Sequence, residues 1–189
     1  MRAGLVLGTI ALLVGVADAE PRATSVQVGG FGLFELGDDP GEFEPDFESA
    51  GGVRMTLSWE RPPPAYPDRR GYAYGGALVP ELIAGALMLE DHADGMLGAG
   101  LRGELQITQR EGGLLRINAQ SAIYLAGRGM VVGKDRDVLL EGVFGDHLSF
   151  NKSPLRLGFE VGFTRRVSDV MDHDRVGFMT QFYLGWAPR

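Results

Sequence analysis

The stretch from Met96 to Gly127 admits few folds. In its first arm, MLGAGLRGELQITQ, Leu97, Ala99, Leu101, Gly103, Leu105 and Ile107 alternate with Arg102, Glu104, Gln106 and Thr108. After REGG, the second arm, LLRINAQSAIYLAG, sets Leu115, Ile117, Ala119, Ile123 and Leu125 against Arg116, Asn118, Gln120 and Tyr124. Period-two alternation marks a strand with one apolar and one polar face, and two such arms around a Gly-containing turn make a hairpin. Each arm of roughly 14 residues extends about 45 Å, far beyond an ordinary strand of ~5–6 residues. Tilted by ~40°, it still outspans the ~25–30 Å hydrocarbon layer of a membrane. The expected fold is all-β: an up-and-down antiparallel transmembrane β-barrel.

The first 19 residues read as a signal peptide: basic Met1-Arg2, an apolar run Ala3–Ala17, and an A-x-A cleavage pattern at Ala17-Asp18-Ala19. The apolar run falls short of the ~20 residues of a spanning helix. The mature domain is therefore expected over residues 20–189, and no later stretch is apolar enough to span as a helix. An exported chain of this kind reaches a membrane by closing a barrel, which satisfies every backbone group. Cleavage removes one Arg and one Asp and leaves the net charge at −7, which argues against nucleic acid as a partner. No cysteine is present, so there is no disulfide framework and no thiol chemistry.

The remaining strands follow from alternation and breakers. Strands are expected over 24–36, 51–60, 71–89, 136–150, 155–166 and 175–187, which with the hairpin makes eight, an even number as bacterial single-chain barrels require. An acidic loop, Gly37–Ala50, follows the first strand; RPPPAYPDRR, 61–70, cannot continue the second, because proline lacks the ladder donor. Pro80 inside the third strand predicts a bulge or a break. Glu90–Asp94 and Gly129–Asp135 read as loops.

The apolar face is expected outward. The arms are long, the connections alternate between long acidic and short, and Trp59, Phe150, Trp186, Tyr72 and Tyr74 gather near one set of strand ends as an interfacial girdle. The polar face then lines the lumen. There Arg54, Arg102, Arg116 and Arg156 are matched by Glu60, Glu104, Glu141 and Glu160, the balance that a paired network inside a narrow barrel requires. In particular, Arg102, Glu104 and Arg116 are expected to pair with Glu141, Glu160 or Arg156. The consequence is a plugged lumen rather than a diffusion pore. In the opposite arrangement, a soluble barrel, the same charges form solvated outer faces. Asp146 lies on the apolar face, which predicts either a bulge at Gly145 or a position at the headgroup boundary.

With these features the chain resembles the small eight-stranded outer-membrane barrels, the family that includes the OmpA membrane domain and the OmpX-like proteins. Its last strand, VGFMTQFYLGW, resembles the closing strand that the outer-membrane assembly machinery recognises, although three residues follow Trp186. The resemblance implies a Gram-negative outer-membrane location, a porin-like fold without enzymatic activity, and a role in envelope integrity or adhesion through surface loops. The implied partners are outer-membrane lipid, lipopolysaccharide and the assembly machinery, and a monomer is expected.

Two alternatives remain. Outer-membrane lipid A deacylases carry a His-x-Ser pair with a Glu on the following strand, and His147, Ser149 and Glu160 present those residue types. Against that reading, His147 and Ser149 fall on the lumen face, at the end of the strand away from the outer leaflet, and Phe150 replaces the family's Asn. The other alternative is a soluble periplasmic ligand-binding β-barrel. Asp91-His92-Ala93-Asp94 and Asp172-His173-Asp174 hold cation-binding residue types but read as solvated loops. Asn151-Lys152-Ser153 matches a glycosylation sequon in a tight turn. No catalytic residue, cofactor or metal is assigned.

Overall fold

The computed structural model describes residues 23–36, 47–69, 71–89, 92–110, 118–134, 136–150, 153–167 and 175–187, with the side chains of 35, 36, 47 and 48 left aside. Eight strands, β1 (Ala23–Leu36), β2 (Phe47–Glu60), β3 (Gly71–Met88), β4 (Ala93–Arg110), β5 (Ala119–Val132), β6 (Asp137–Phe150), β7 (Leu155–Val167) and β8 (Arg175–Trp186), follow the chain. Each pairs antiparallel with its sequence neighbours, and β8 closes on β1. The chain is an eight-stranded up-and-down β-barrel.

The register sets the shape. A path along paired residues from Val26 passes Leu57, Leu82, Ala99, Gly129, Leu140, Arg165 and Val176, and returns to β1 at Leu36, ten residues further on. That shear tilts the strands by about 40°, so a 14-residue strand rises about 35 Å along the axis. The end where β1, β3, β5 and β7 begin is the lower end below, and the end where they finish is the upper end.

The outer face is apolar. Among the described residues, twenty-five large hydrophobic side chains point outward and are exposed, including Leu97, Leu125, Phe163, Phe182 and Leu184. Neighbours in sequence go the other way: Leu125 is 67 % exposed and Ala126 only 7 %. Among the described outward residues of the strands, only Asp146 and Arg165 carry a charge. Inside, the two halves differ. Arg, Glu and Tyr side chains fill the lower part, whereas Leu33, Ile83, Leu87, Met130, Leu139 and Met179 form an apolar cluster toward the upper end. A polar lumen was expected; the upper half is apolar instead. Its residues lie in strands with apolar side chains on both faces, where alternation fades.

Several boundaries also move. The second arm of the hairpin runs over Ala119–Val132, so 129–132 are strand and not loop, and 111–117, with Leu115, Arg116 and Ile117, lie outside the described residues. β4 begins at Ala93 and β2 at Phe47, inside segments expected as turn and loop. β3 is neither bulged nor broken at Pro80. It pairs with β4 along all 18 residues, but with β2 only over Glu81–Met88. Pro80 is the first residue past the β2 ladder, so its missing donor costs that ladder nothing. Asp146 pairs in unbroken register with Ile123 and Phe159, so no bulge at Gly145 turns it inward. It stands exposed on the outer face near the lower end. The expected signal peptide, residues 1–19, and residues 37–46 of the acidic loop also lie outside the described residues.

Candidate functional site

The lumen places chemistry where alternation puts polar side chains. Seven of the eight sequence-derived candidates, Arg54, Glu60, Arg102, Glu104, Glu141, Arg156 and Glu160, lie on the inner face, and Arg116 lies outside the described residues. Two further residues, Glu81 and Arg128, join them. The charges form one alternating chain. Arg156 Nη1 bonds Glu60 Oε2, and Arg102 Nη2 donates to Glu60 Oε1 at 2.8 Å. Arg102 Nη1 lies 3.0 Å from Glu81 Oε1, and its Nε 2.8 Å from Glu104 Oε1. These last two are ion contacts without hydrogen-bond alignment. Arg128 Nε donates to Glu81 Oε2 at 2.7 Å and its two Nη atoms grip Glu160 at 2.7 and 2.6 Å. Arg54 completes the series, 2.5 Å from Glu160 Oε2 and 2.8 Å from Glu141 Oε2.

The pairing thus differs from the expected one. Arg102 meets Glu60, Glu81 and Glu104, while Glu141 and Glu160 meet Arg54 and Arg128. β1 and β8 join through neutral groups: Ser25 Oγ donates to Glu60 at 2.7 Å, and the Tyr183 and Tyr124 hydroxyls lie 3.0 Å apart. All eight strands are therefore tied across the lumen. Buried ion pairs of this kind add little net stability, because desolvation offsets their attraction, but a charge left alone is costly. Arg102 also stacks over Tyr124, 4.8 Å from the ring centre. The tyrosines have room because glycines face them on the next strand: a Cβ on Gly145 would sit 2.5 Å from the Tyr124 ring. Gly158 stands in the same relation to Tyr183.

His147 and Ser149 are buried on the inner face. His147 lies against Tyr124, ring centres 6.1 Å apart. Glu160, the third member of the possible hydrolase set, gives its oxygens to Arg54, Arg128 and Tyr124. His92 and Asp94 approach to 3.5 Å at the upper rim; Asp91 and 172–174 lie outside the described residues. Among the described residues, no group of three or more His, Asp or Glu could hold a metal ion.

A second feature lies at the lower mouth. The connection 61–69 crosses the inner side of β3 and β4, held by side-chain donors from β4. Thr108 Oγ1 donates to Pro64 O at 2.9 Å, and Arg110 Nη1 donates to Pro67 O at 3.0 Å and Asp68 O at 3.1 Å. Beneath the charged chain it borders a half-open recess of about 590 Å³ lined by Glu60, Arg61, Pro62–Tyr66, Arg110, Asn118, Gln120 and Arg156 with Ala23 and Ala187. The sequence shows the prolines as a breaker only; nothing local shows that they fold back under the barrel.

No family model matches the chain, and no curated protein matches it. Among solved structures, the chain is similar to the crystal structure of Ail, the attachment invasion locus protein of Yersinia pestis, in complex with the heparin analogue sucrose octasulfate. Identity is 10 %, the match covers 89 % of this chain and 100 % of that one, and the TM-score is 0.30. The fold assignment rests on this chain's own closed strand order.

Proposed function

We propose that the chain is an integral β-barrel of the bacterial outer membrane, without enzymatic activity, that acts through its upper loops in envelope integrity or adhesion. The observation that carries this reading is the outer face: a belt of exposed hydrophobic side chains that, among the described residues, holds two charges, one toward each end of the barrel. Soluble monomers rarely expose contiguous apolar patches above a few hundred Å², and a soluble barrel turns its apolar face inward. The lumen supports a closed rather than a conducting barrel, since an eight-stranded interior is only wide enough for side chains and, among the described residues, this one buries ten Arg, Glu and Tyr side chains below an apolar cluster. With transport set aside, the loops that join β1 to β2, β3 to β4, β5 to β6 and β7 to β8 are left as the working surface. Lipopolysaccharide and lipid are the partners this reading assigns, with the barrel monomeric.

Fractionation and gel mobility test the location. The expected result is recovery in the outer-membrane fraction, with a mobility shift between unheated and boiled samples. Recovery in the soluble fraction after signal cleavage contradicts the reading. For the role, deletion strains should lose detergent resistance or surface attachment, and should regain it with the intact chain but not with one whose 37–46 segment is replaced by a short neutral turn.

A further inference from the structure

We infer that the lower part of β3 is a docking edge for an extended peptide strand that alternates apolar residues with small ones. The β2–β3 ladder ends where Ser58 pairs with Glu81, whereas β3 runs on beside β4 down to Gly71. Continued in the same register, Glu60 at the end of β2 faces Val79, so 71–78 lies beyond it. Backbone groups of alternate strand residues point to opposite sides. Ala86 turns its carbonyl toward Gly52 of β2, and the unbroken pairing with β4 carries that parity down the strand. Tyr72, Tyr74, Gly76 and Leu78 therefore present their N–H and C=O groups to the side where β2 is missing, in line with Pro80, whose absent donor falls on that same side. Among the described residues, no backbone group of 61–69 bonds to them. That connection runs over the inner face instead, where Pro64 stands against Gly75. All four residues are exposed, and the Tyr72 and Tyr74 rings stack on the outer face, centres 6.4 Å apart. Natural edges are ordinarily blunted by charge, proline or a bulge; the run from Gly71 to Val79 has none of the three.

The geometry selects the occupant. A row of donors and acceptors at the strand repeat is met by another extended backbone, which neither lipid nor a compact ligand offers. A guest that continues the line of β2 runs antiparallel to β3. A second copy in the same membrane cannot supply it, because its own open edge rises in the same direction. Guest residues opposite Tyr72, Tyr74, Gly76 and Leu78 share their outward face, so apolar side chains fit there, with an aromatic ring over Gly76. The residues between turn to the inner side, which Pro64 partly fills, and are small. The edge lies at the end of the barrel opposite the loops assigned above and stands independently of their role.

The test uses the full chain, folded and monomeric in uncharged detergent micelles, with amide hydrogen exchange read by NMR. In the free chain Tyr72, Tyr74, Gly76 and Leu78 should exchange at least about tenfold faster than Ala73, Gly75, Ala77 and Val79, whose amides point to β4. The probe is a capped peptide alternating valine or phenylalanine with serine, with a lysine at each end. It should slow the four open amides by about tenfold or more, saturably below about 1 mM, and leave the other four unchanged. N-methylation of its valine and phenylalanine nitrogens removes the donors toward β3 and should abolish the effect. N-methylation of its serine nitrogens, on the far edge, should preserve it. Gly76→Pro takes one donor from the open edge and none from the β4 ladder, and should weaken the peptide by about tenfold or more. Open amides already slow in the free chain, no saturable slowing below about 1 mM, or equal effects of the two methylated peptides overturns the proposal. Should Gly76→Pro lose its folded gel mobility, the two methylated peptides on the unaltered chain decide alone.

Discussion

Glu81 shows how much one side chain carries in this barrel. It is buried between Arg102 and Arg128 and links the lower and upper parts of the ion chain. Glu81→Gln removes the carboxylate that two buried guanidiniums share, while Arg102 keeps Glu60 and Glu104 and Arg128 keeps Glu160, and the expected loss is about 1.5–3 kcal/mol, read from urea unfolding in micelles. Glu104→Gln should cost well under half of that, because Arg102 keeps Glu60 and Glu81. Gly158→Val forces a side chain into the Tyr183 ring and should destabilise by about 1–3 kcal/mol in the same assay. Residues such as Arg54 and Glu160 were legible from sequence, because each sits in a run of clean alternation. Glu81 and Arg128 were not. Glu81 follows a proline that suggested a break, and Arg128 falls just past the expected end of its arm at Gly127, before the Gly129–Asp135 stretch that reads as a loop. Only the partner strands show that both segments are ladder.

At the scale of the element, β3 and β4 reach below the rest of the barrel. β2 stops at Glu60, where prolines end its donors, while β3 runs on alongside β4 to Gly71. This places Tyr72 and Tyr74 below the Trp59 end of β2, and Leu101 well within the barrel wall. The two regions should respond differently to charge. Leu101→Arg should cost about 2–4 kcal/mol of folding free energy in a bilayer, and Tyr72→Arg within about 1 kcal/mol, measured by reversible unfolding from lipid vesicles. Strand count and facing were legible because a half-apolar strand repeats every two residues. Register was not, since the shear comes from which residues pair, and pairing is set by eight strands at once.

At the scale of the molecule, a polar chain of ion pairs, an apolar upper cluster and an apolar exterior divide the barrel into zones. The filled interior leads to an electrical expectation: the purified chain in a planar bilayer should show no step conductance, and regular steps would show an open lumen. A membrane barrel requires that the apolar outer face meet lipid. The absence of cysteine allows one direct measurement, spin labels at single sites Leu125→Cys and Ala126→Cys in vesicles. Collision with oxygen and with a water-soluble nickel chelate is then read by electron paramagnetic resonance. At 125 the label should collide freely with oxygen and be shielded from nickel, and at 126 it should be shielded from both. A label at 125 that favours nickel over oxygen would show that this face meets water, and contradict the membrane barrel.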